Sequence, residues 1–153
     1  MYKFTTSTPY LLARAGARMG ALFSRRLAPY GLTLPMYRVL AALVEQPSQT
    51  LGNLATMTSI DLSTMSRMIG TMRTKGLVTR ERPPGNERTV SIDLTPKGRA
   101  TAAELMKEAE HYEKVAVSRL SEANVAKLKQ LLGEIYDSLD ILEAEQATGN
   151  TVK

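Results

Sequence analysis

Apolar residues in the first third of the chain recur at helical spacings. Over Leu11–Leu27 they fall every three or four positions, which predicts a long amphipathic helix with one apolar face. Ser7 or Thr8 is a candidate N-cap, and Pro9 suits the first helical position. The stripe stops before Gly31, where we expect the chain to turn.

Two further helices are predicted before residue 60. Thr33 can cap a helix whose apolar residues run from Met36 to Val44 and which stops at Pro47. Thr50 can cap a short third helix, whose first backbone amides are free to contact a phosphate. The short helix is expected to brace the helix after it.

A fourth helix, over Leu62–Lys75, has two chemically different faces. Its apolar face is formed by Met65, Ile69 and Met72, with Met68 at the edge. The opposite face holds small hydroxyls, one guanidinium and one glycine, namely Ser63, Arg67, Gly70 and Thr74, flanked by Ser66 and Thr71. Asp61 is a candidate N-cap, and Gly76 is placed to end the helix. Such a polar face is either ordinary solvated surface or a surface that approaches another macromolecule closely.

The segment after the fourth helix favours the second interpretation. LVTRER alternates as a strand, PPGNER is a turn, and TVSIDLT alternates as a returning strand. A helix-turn-helix succeeded by a hairpin is a winged helix. Its second helix fits a DNA major groove, and its wing can place Arg88 against the neighbouring minor groove or backbone.

The last third of the chain predicts two more long helices. Thr95 and Pro96 begin the first, which is expected to reach Arg119 or Leu120. Its expected inward face is Met106, Ala109, Tyr112, Ala116 and Leu120. Ser121 caps the second, in which apolar residues form a heptad-like seam of Val125, Leu128, Leu132, Ile135, Leu139 and Leu142. The seam could pack on the preceding helix or pair with a second copy of the chain.

The segments STMSRMIGTMRTKGLVTRE and NERTVSIDLTPKG resemble the recognition helix and wing of the MarR family of bacterial transcription regulators. The flanking helices also occur in the order that this family has. The resemblance implies that Ser63, Ser66 and Arg67 face the groove, that Thr64 contacts the backbone, and that Arg88 is the wing-tip arginine. One position departs from the family pattern, because Asn86 stands where the wing usually has aspartate. A neutral amide holds a guanidinium less firmly than a carboxylate does.

Charge is distributed unevenly along the chain. The net charge is +5, from 20 Lys and Arg against 15 Asp and Glu. Residues 1–60 hold six basic residues and one acid, residues 61–99 eight and four, and residues 100–153 six and ten. A polyanion such as DNA would therefore contact the first two thirds of the chain.

Composition excludes several function classes. The chain has no cysteine, which removes disulfides, thiolate metal sites and cysteine-based redox sensing, and one histidine, His111, which cannot form a metal site alone. No cofactor or metal is expected, and an enzyme acting through Tyr112 and His111 has little support because no nucleophile motif accompanies them. No apolar run approaches the roughly 20 residues that span a bilayer, and no secretory leader is apparent, so we expect a cytoplasmic protein.

Arginines on the first two helices suggest a small-molecule site. Arg14, Arg18 and Arg25 share one face of the first helix, and Tyr37 and Arg38 lie beside the apolar stripe of the second. A solvated face is the simpler explanation, although arginines bordering an apolar groove can also bind an anion. The resemblance implies a repressor that is released by a small molecule, often an aromatic acid or its derivative. The candidate effector-binding residues are Arg14, Arg18, Tyr37 and Arg38.

The sequence therefore predicts a mostly α-helical protein with a small β-hairpin wing. Residues 30–98 would form the winged helix-turn-helix domain, residues 7–29 and 99–146 the dimerisation helices, and residues 147–153 a flexible tail. The protein is predicted to be a homodimeric transcription regulator that binds a pseudo-palindromic DNA duplex. The residues expected to contact DNA are Thr50, Ser63, Thr64, Ser66, Arg67 and Arg88. The alternative is a protein-interaction adaptor with the same fold, which would bind without sequence preference for DNA.

Overall fold

The computed structural model describes residues 1–82, 84–85 and 88–149. Within them lie six α-helices: α1 (Thr8–Leu27), α2 (Leu34–Glu45), α3 (Leu51–Thr58), α4 (Leu62–Thr74), α5 (Pro96–Ala116) and α6 (Glu122–Thr148). The same residues form three strands: β1 (Gln49–Thr50), β2 (Val78–Glu81) and β3 (Ser91–Leu94). The predicted class, mostly α with a winged helix-turn-helix, is confirmed.

The predicted caps form as hydrogen bonds at the starts of five helices. At the start of α1 the Ser7 side chain makes no cap bond, because its hydroxyl donates to the Phe4 carbonyl at 2.8 Å instead. The hydroxyls of Thr33, Thr50 and Ser121 accept bonds from the backbone amides three residues later, at 3.4, 3.1 and 3.2 Å. Asp61 does the same for α4, where its Oδ1 accepts from the Thr64 amide at 2.9 Å. The Thr95 hydroxyl caps α5 in the same way, accepting from the Gly98 amide at 2.9 Å. Such caps satisfy amides that have no partner inside the helix, so these five boundaries are fixed locally by the sequence.

The chain divides into two compact units, residues 1–112 and residues 113–153. The first unit contains the apolar core, in which α2, α3, α4 and the sheet contribute fully buried side chains. In α1 only Phe23 and Leu27 are buried, whereas Leu11, Leu12, Met19 and Leu22 are exposed. The amino-terminal part of the α1 stripe therefore remains open to solvent.

The second unit contains α6, a helix of 27 residues of which none is buried. Along its seam, Leu128, Leu132, Ile135, Leu139 and Leu142 expose between 36% and 52% of their surface. Val125 at the start of the seam is half-buried. An ion pair between Lys129 and Glu113, at 2.6 Å, also lies within this unit.

The sheet contains one strand that the sequence did not predict. The hairpin of β2 and β3 forms in an antiparallel register that pairs Val78 with Leu94 and Glu81 with Ser91. The short strand β1 then pairs with the other edge of β3, so the strand order is β1-β3-β2. Two residues that directly precede a helix carry too weak an alternation pattern to be read as a strand.

A close backbone contact joins the end of α4 to the start of α5. Gly76 adopts a left-handed conformation (φ 72°) after α4, and its carbonyl accepts a 2.6 Å bond from the Thr95 hydroxyl. The same hydroxyl accepts from the Gly98 amide at 2.9 Å. Gly98 in turn packs directly on the backbone of Leu77, where a Cβ atom would lie inside the van der Waals shell of the carbonyl oxygen.

Two expectations for α5 were wrong. The helix ends at Ala116, three or four residues before Arg119 or Leu120, because the chain tightens into a turn over residues 117–120. The second expectation failed only in part, since the inward face is Gly98, Ala102, Leu105, Ala109 and Tyr112, of which Ala109 and Tyr112 were predicted. Met106 is half-buried but does not pack on the core, and Ala116 and Leu120 are exposed. The contact between Gly98 and Leu77 sets the rotation of the helix, since inward residues recur from it at steps of four and three.

Among the described residues, no single helix is both long enough and apolar enough to cross a bilayer. Thr8–Tyr30 and Leu34–Glu45 reach the required hydropathy only as a pair, and they are bent by 83° at their junction.

Candidate nucleic-acid interface

Helix α4 presents the predicted polar face to solvent. Ser63, Arg67 and Gly70 are exposed, and Thr64 and Ser66 at the margins are half-buried. On the other side the helix is anchored by Met65, Met68, Ile69 and Met72, all buried in the core. The anchoring fixes which side chains point outward, so the exposed face is a rigid surface that consists of hydroxyls, one guanidinium and bare backbone.

The amino-terminal end of α4 is organised by the Asp61 carboxylate. Its Oδ1 accepts from the Ser63 hydroxyl at 2.7 Å as well as from the Thr64 amide at 2.9 Å. Bonds from the Thr64 and Ser63 hydroxyls, with the Thr64 amide adding to them, hold the pKa of Asp61 well below its usual range. Asp61 therefore stays ionised near neutral pH. The Ser63 hydroxyl has committed its proton, which leaves its lone pairs to accept from a base amino group.

Arg67 lies one turn further along the exposed face. Its Nη2 is 3.5 Å from the Thr64 Oγ1, a marginal bond, and most of the guanidinium donors have no acceptor among the residues that the structure describes. No described acidic side chain forms an ion pair with it. An unpaired guanidinium on a rigid helix can donate two parallel bonds to the O6 and N7 of a guanine.

Thr50 combines two roles at the start of α3. Its Oγ1 accepts from the Asn53 amide, and the hydroxyl proton remains available to donate to a phosphate oxygen. Its backbone also pairs with Ser91 of β3. The sequence predicted the cap but did not predict this connection to the wing.

The wing carries several exposed arginines. Arg88 lies in the turn between β2 and β3 and is exposed, as the predicted role requires. Asn86, the position at which the wing departs from the family pattern, lies outside the described residues. Arg80 and Arg82 are also exposed. They were not selected from the sequence, although the alternation within LVTRER places both on one side of a strand.

No hydrogen bond, ion pair or ring contact joins the four candidate effector residues, all of which the structure describes, to one another. Arg14 interacts with Tyr10, with 3.5 Å between Nη1 and the phenol oxygen, and both Arg18 and Arg38 are exposed. Tyr37 is half-buried with its ring edge-on to Phe23, at 4.8 Å between centroids. Burial raises the pKa of Tyr37, and the charge of Glu45 adds to that effect. The phenol therefore stays protonated and can donate a hydrogen bond.

Two clefts lie elsewhere. One, of about 210 Å³, is in the first unit and is lined by Tyr30, Leu32, Lys75, Leu77, Lys97 and Thr101. The other, of about 440 Å³, is in the second unit, between the end of α5 and the start of α6, and is lined by residues from Lys114 to Lys129. None of the four candidate effector residues lines either cleft.

Helix α3, the turn of residues 59–61, helix α4 and the β2–β3 wing together define a winged helix-turn-helix protein of the DNA-binding type. The model of the MarR family matches residues 32–90, which covers this motif. The HTH-type transcriptional regulator MgrA of Staphylococcus aureus is 32% identical over 112 residues, covering 72% of this chain and 74% of the relative. The chain belongs to the MarR family.

Two further comparisons extend over most of the chain. The organic hydroperoxide resistance transcriptional regulator of Bacillus subtilis is 29% identical over 133 residues, 87% of each protein. The structure of Bordetella bronchiseptica BpsR, whose DNA binding is regulated by 6-hydroxynicotinic acid, is 29% identical with a TM-score of 0.80, covering 90% of this chain and 98% of BpsR. The protein is accordingly a transcription regulator of this family and not an enzyme, as predicted.

Proposed function

We propose that this protein is a homodimeric repressor that binds a pseudo-palindromic operator and is released by a small anionic, aromatic effector. The observation that carries the proposal is the outward face of α4, where an unpaired Arg67 lies among small hydroxyls on a helix anchored in the core. Because the helix is already anchored, its outward side chains reach a base edge without any ordering of the backbone. That arrangement favours sequence-specific contact over general attraction to the DNA backbone.

Each proposed contact is derived from the chemistry of its side chain. Arg67 contacts a guanine, and Ser63 and Ser66 refine the choice of neighbouring bases. Thr64 and Thr50 contact the DNA backbone and fix the register on the duplex, and the Thr50 hydroxyl donates to a phosphate oxygen. Arg88 on the wing enters the minor groove or responds to its width.

Dimerisation is proposed from apolar surface that a single chain leaves uncovered. The seam of α6 is exposed from Leu128 to Leu142, and so is the amino-terminal part of the α1 stripe. Runs of apolar side chains with helical periodicity are rarely left in water, and a second copy of the chain would cover them. Two copies would separate equivalent α4 helices by about one turn of DNA, on the order of 10 base pairs.

The proposed domain boundaries are those that the sequence predicts. Residues 30–98 are the DNA-binding domain, and residues 7–29 and 99–146 are the dimerisation region. The tail of residues 147–153 falls mostly outside the described residues, which end at Gly149.

Substitution of Arg67 by alanine tests the specificity directly. Selection from a random duplex library should return a two-fold symmetric motif for the wild type. Arg67→Ala should lose preference at one base position in each half-site, corresponding to about 1–3 kcal/mol of discrimination. Sequencing of bound duplexes at two salt concentrations measures both the motif and the electrostatic part of the affinity.

The matched control is Arg119→Ala, an exposed arginine in the second unit that should leave the motif intact. Recovery of no motif by the wild type, with binding that fades uniformly as salt rises, would reject the repressor. The adaptor alternative would then be pursued with protein partners.

The proposed effector is a small aromatic carboxylate. Arg14, Arg18, Tyr37 and Arg38 supply cations and a protonated phenol on two consecutive helices, which suits such a ligand. BpsR, which responds to 6-hydroxynicotinic acid, shows that this fold can be regulated by a molecule of that class. The ligand would act by binding one dimer shape more tightly than the other.

A titration of the operator complex with hydroxylated aromatic acids, 6-hydroxynicotinic acid among them, tests this part separately. The effective concentration of a releasing compound should rise about a hundredfold or more when Arg14 and Arg18 are both replaced by alanine, since each of the two charge-assisted bonds contributes about 1.5–3 kcal/mol. Arg119→Ala should leave that concentration unchanged. Release that is equally efficient in the double variant would place the effector site elsewhere.

A further inference from the structure

Asp93 fastens the loop before α3 to the central strand of the wing. Its Oδ1 accepts from the Ser48 backbone amide at 2.7 Å, and the Ser48 hydroxyl lies 3.1 and 3.0 Å from the two carboxylate oxygens. The Ser91 hydroxyl donates to Oδ2 at 3.1 Å. The Asp93 carboxylate thus accepts hydrogen bonds from the amide and hydroxyl of Ser48, before β1, and from the hydroxyl of Ser91, in β3.

Ser48 adopts a backbone conformation that is unfavourable for a residue other than glycine. Its φ is 58°, in the left-handed region, and it is one of two non-glycine residues with positive φ among those described. Such a conformation persists where surrounding bonds determine it. The bonds from Ser48 to Asp93 are the ones available here, so the carboxylate sets the path of the chain into β1.

That path determines the position of a proposed DNA contact. Immediately after Ser48, Gln49 and Thr50 pair with Ile92 and Ser91 of β3. Thr50 then caps α3, whose first amides point toward the same side as its hydroxyl. Asp93, which belongs to the wing strand that comes after Arg88, therefore connects that strand to the segment that leads into α3.

We propose that Asp93 is a positioning residue for DNA binding, which holds the Thr50 end of α3 and the wing in one fixed arrangement so that both contact the duplex together. This inference rests on the proposed function. Asp93 itself does not contact DNA in this proposal; it acts through Ser48 and β3.

The direction in which Asp93→Ala changes operator affinity distinguishes a positioning role from a purely electrostatic one. Removal of a negative charge from a surface that faces a polyanion should strengthen binding. Asp93→Ala should instead weaken operator binding about tenfold. The loss of the fixed arrangement of α3 and the wing should cost more affinity than the removal of one negative charge gains. Glu81→Ala, on the neighbouring strand and exposed, is the charge-matched control and should bind as tightly as wild type or more tightly.

A double-substitution cycle with Arg88→Ala measures the coupling between the two positions in operator affinity. General destabilisation of the fold would not change this coupling. In the wild-type background Arg88→Ala should weaken operator binding about tenfold, and in the Asp93→Ala background its effect should fall below about threefold. Asp93→Asn keeps one acceptor oxygen for the Ser48 amide. Its operator affinity, and the effect of Arg88→Ala in its background, should both lie between those of the wild type and of Asp93→Ala. Circular dichroism melts of every variant confirm that folded protein is compared.

The outcomes separate the two proposals. A wild type that selects no operator overturns both the proposed function and this inference. An operator that depends on Arg67, together with Asp93→Ala that binds like Glu81→Ala or adds fully to Arg88→Ala, overturns this inference alone. Loss of affinity with a diminished Arg88 effect supports it.

Discussion

Gly98→Ala is expected to destabilise the protein by about 3 kcal/mol or more, a large part of the roughly 5–15 kcal/mol that keeps a typical domain folded. The added Cβ would overlap the carbonyl oxygen of Leu77. Because that neighbour is backbone, it cannot rotate away as a side chain would. The carbonyl also accepts a 3.1 Å bond from the Thr95 amide, so any displacement of Leu77 would weaken the connection between α4 and α5.

Urea denaturation monitored by far-ultraviolet circular dichroism, at one fixed protein concentration, measures this loss. Gly70→Ala is the matched control, since nothing lies within 4 Å of a Cβ at that helical position. It should stabilise the protein by up to about 1 kcal/mol, as alanine generally does relative to glycine inside a helix. An unchanged urea midpoint for Gly98→Ala would show that the backbone around Leu77 can move to accommodate a Cβ atom at little energetic cost.

Leu132→Asp combined with Leu139→Asp is expected to convert the protein to monomers and to weaken operator binding about a thousandfold. Both leucines lie on the exposed seam of α6, and two carboxylates buried without partners in the proposed dimer interface would oppose association strongly. A monomer retains one half-site contact, so its affinity should fall toward the non-specific range.

Sedimentation velocity measures the oligomeric state, and titration of the selected operator measures the affinity. Ile141→Asp is the control, because Ile141 is exposed on a different side of α6 from the seam. This variant should remain dimeric and bind normally. A seam variant that stays dimeric at micromolar concentration would assign the dimer contact to another surface, whereas a monomeric seam variant with full operator affinity would reject binding as a dimer.

Elements specified by neighbouring residues were predictable from the sequence. The caps at Thr33, Thr50, Asp61 and Ser121, and the left-handed Gly76, depend on contacts within a few positions of each residue. Periodicity then identified the buried face of α4 and the β2–β3 hairpin. The outward placement of Arg67 was predictable from the same periodicity, because a helix with one buried face has its exposed face determined as well.

Features that depend on distant residues were not predictable in the same way. Strand β1 exists because β3, some 40 positions later, offers an unpaired edge, and Ser48 adopts its conformation because Asp93 is there to accept its bonds. The rotation of α5 depends on the packing of Gly98 on Leu77, which no local pattern encodes. Apolar periodicity alone could not choose between Met106 and Leu105 as the inward residue.

The candidate DNA-binding and effector residues differ in how far the sequence could place them. Five of the DNA-binding candidates lie on α4 or at the start of α3, elements whose exposed sides were determined locally. The effector candidates lie on two helices, and their mutual distances depend on tertiary packing that a helical pattern does not specify. Tyr37 shows this clearly, since its ring packs on Phe23 of α1 and not on any of the arginines with which it was grouped.

The underside of α4 has a consequence for the evolution of operator preference. Three of its four buried side chains are methionines, which are unbranched, polarisable and able to adopt many shapes in a core. A helix supported in this way can shift slightly when its outer residues are exchanged, without opening a void beneath it. If residues 63, 66 and 67 contact bases as proposed, changes at these positions would redirect the protein to a new DNA sequence while the core adapts, and specificity would diverge faster than the fold.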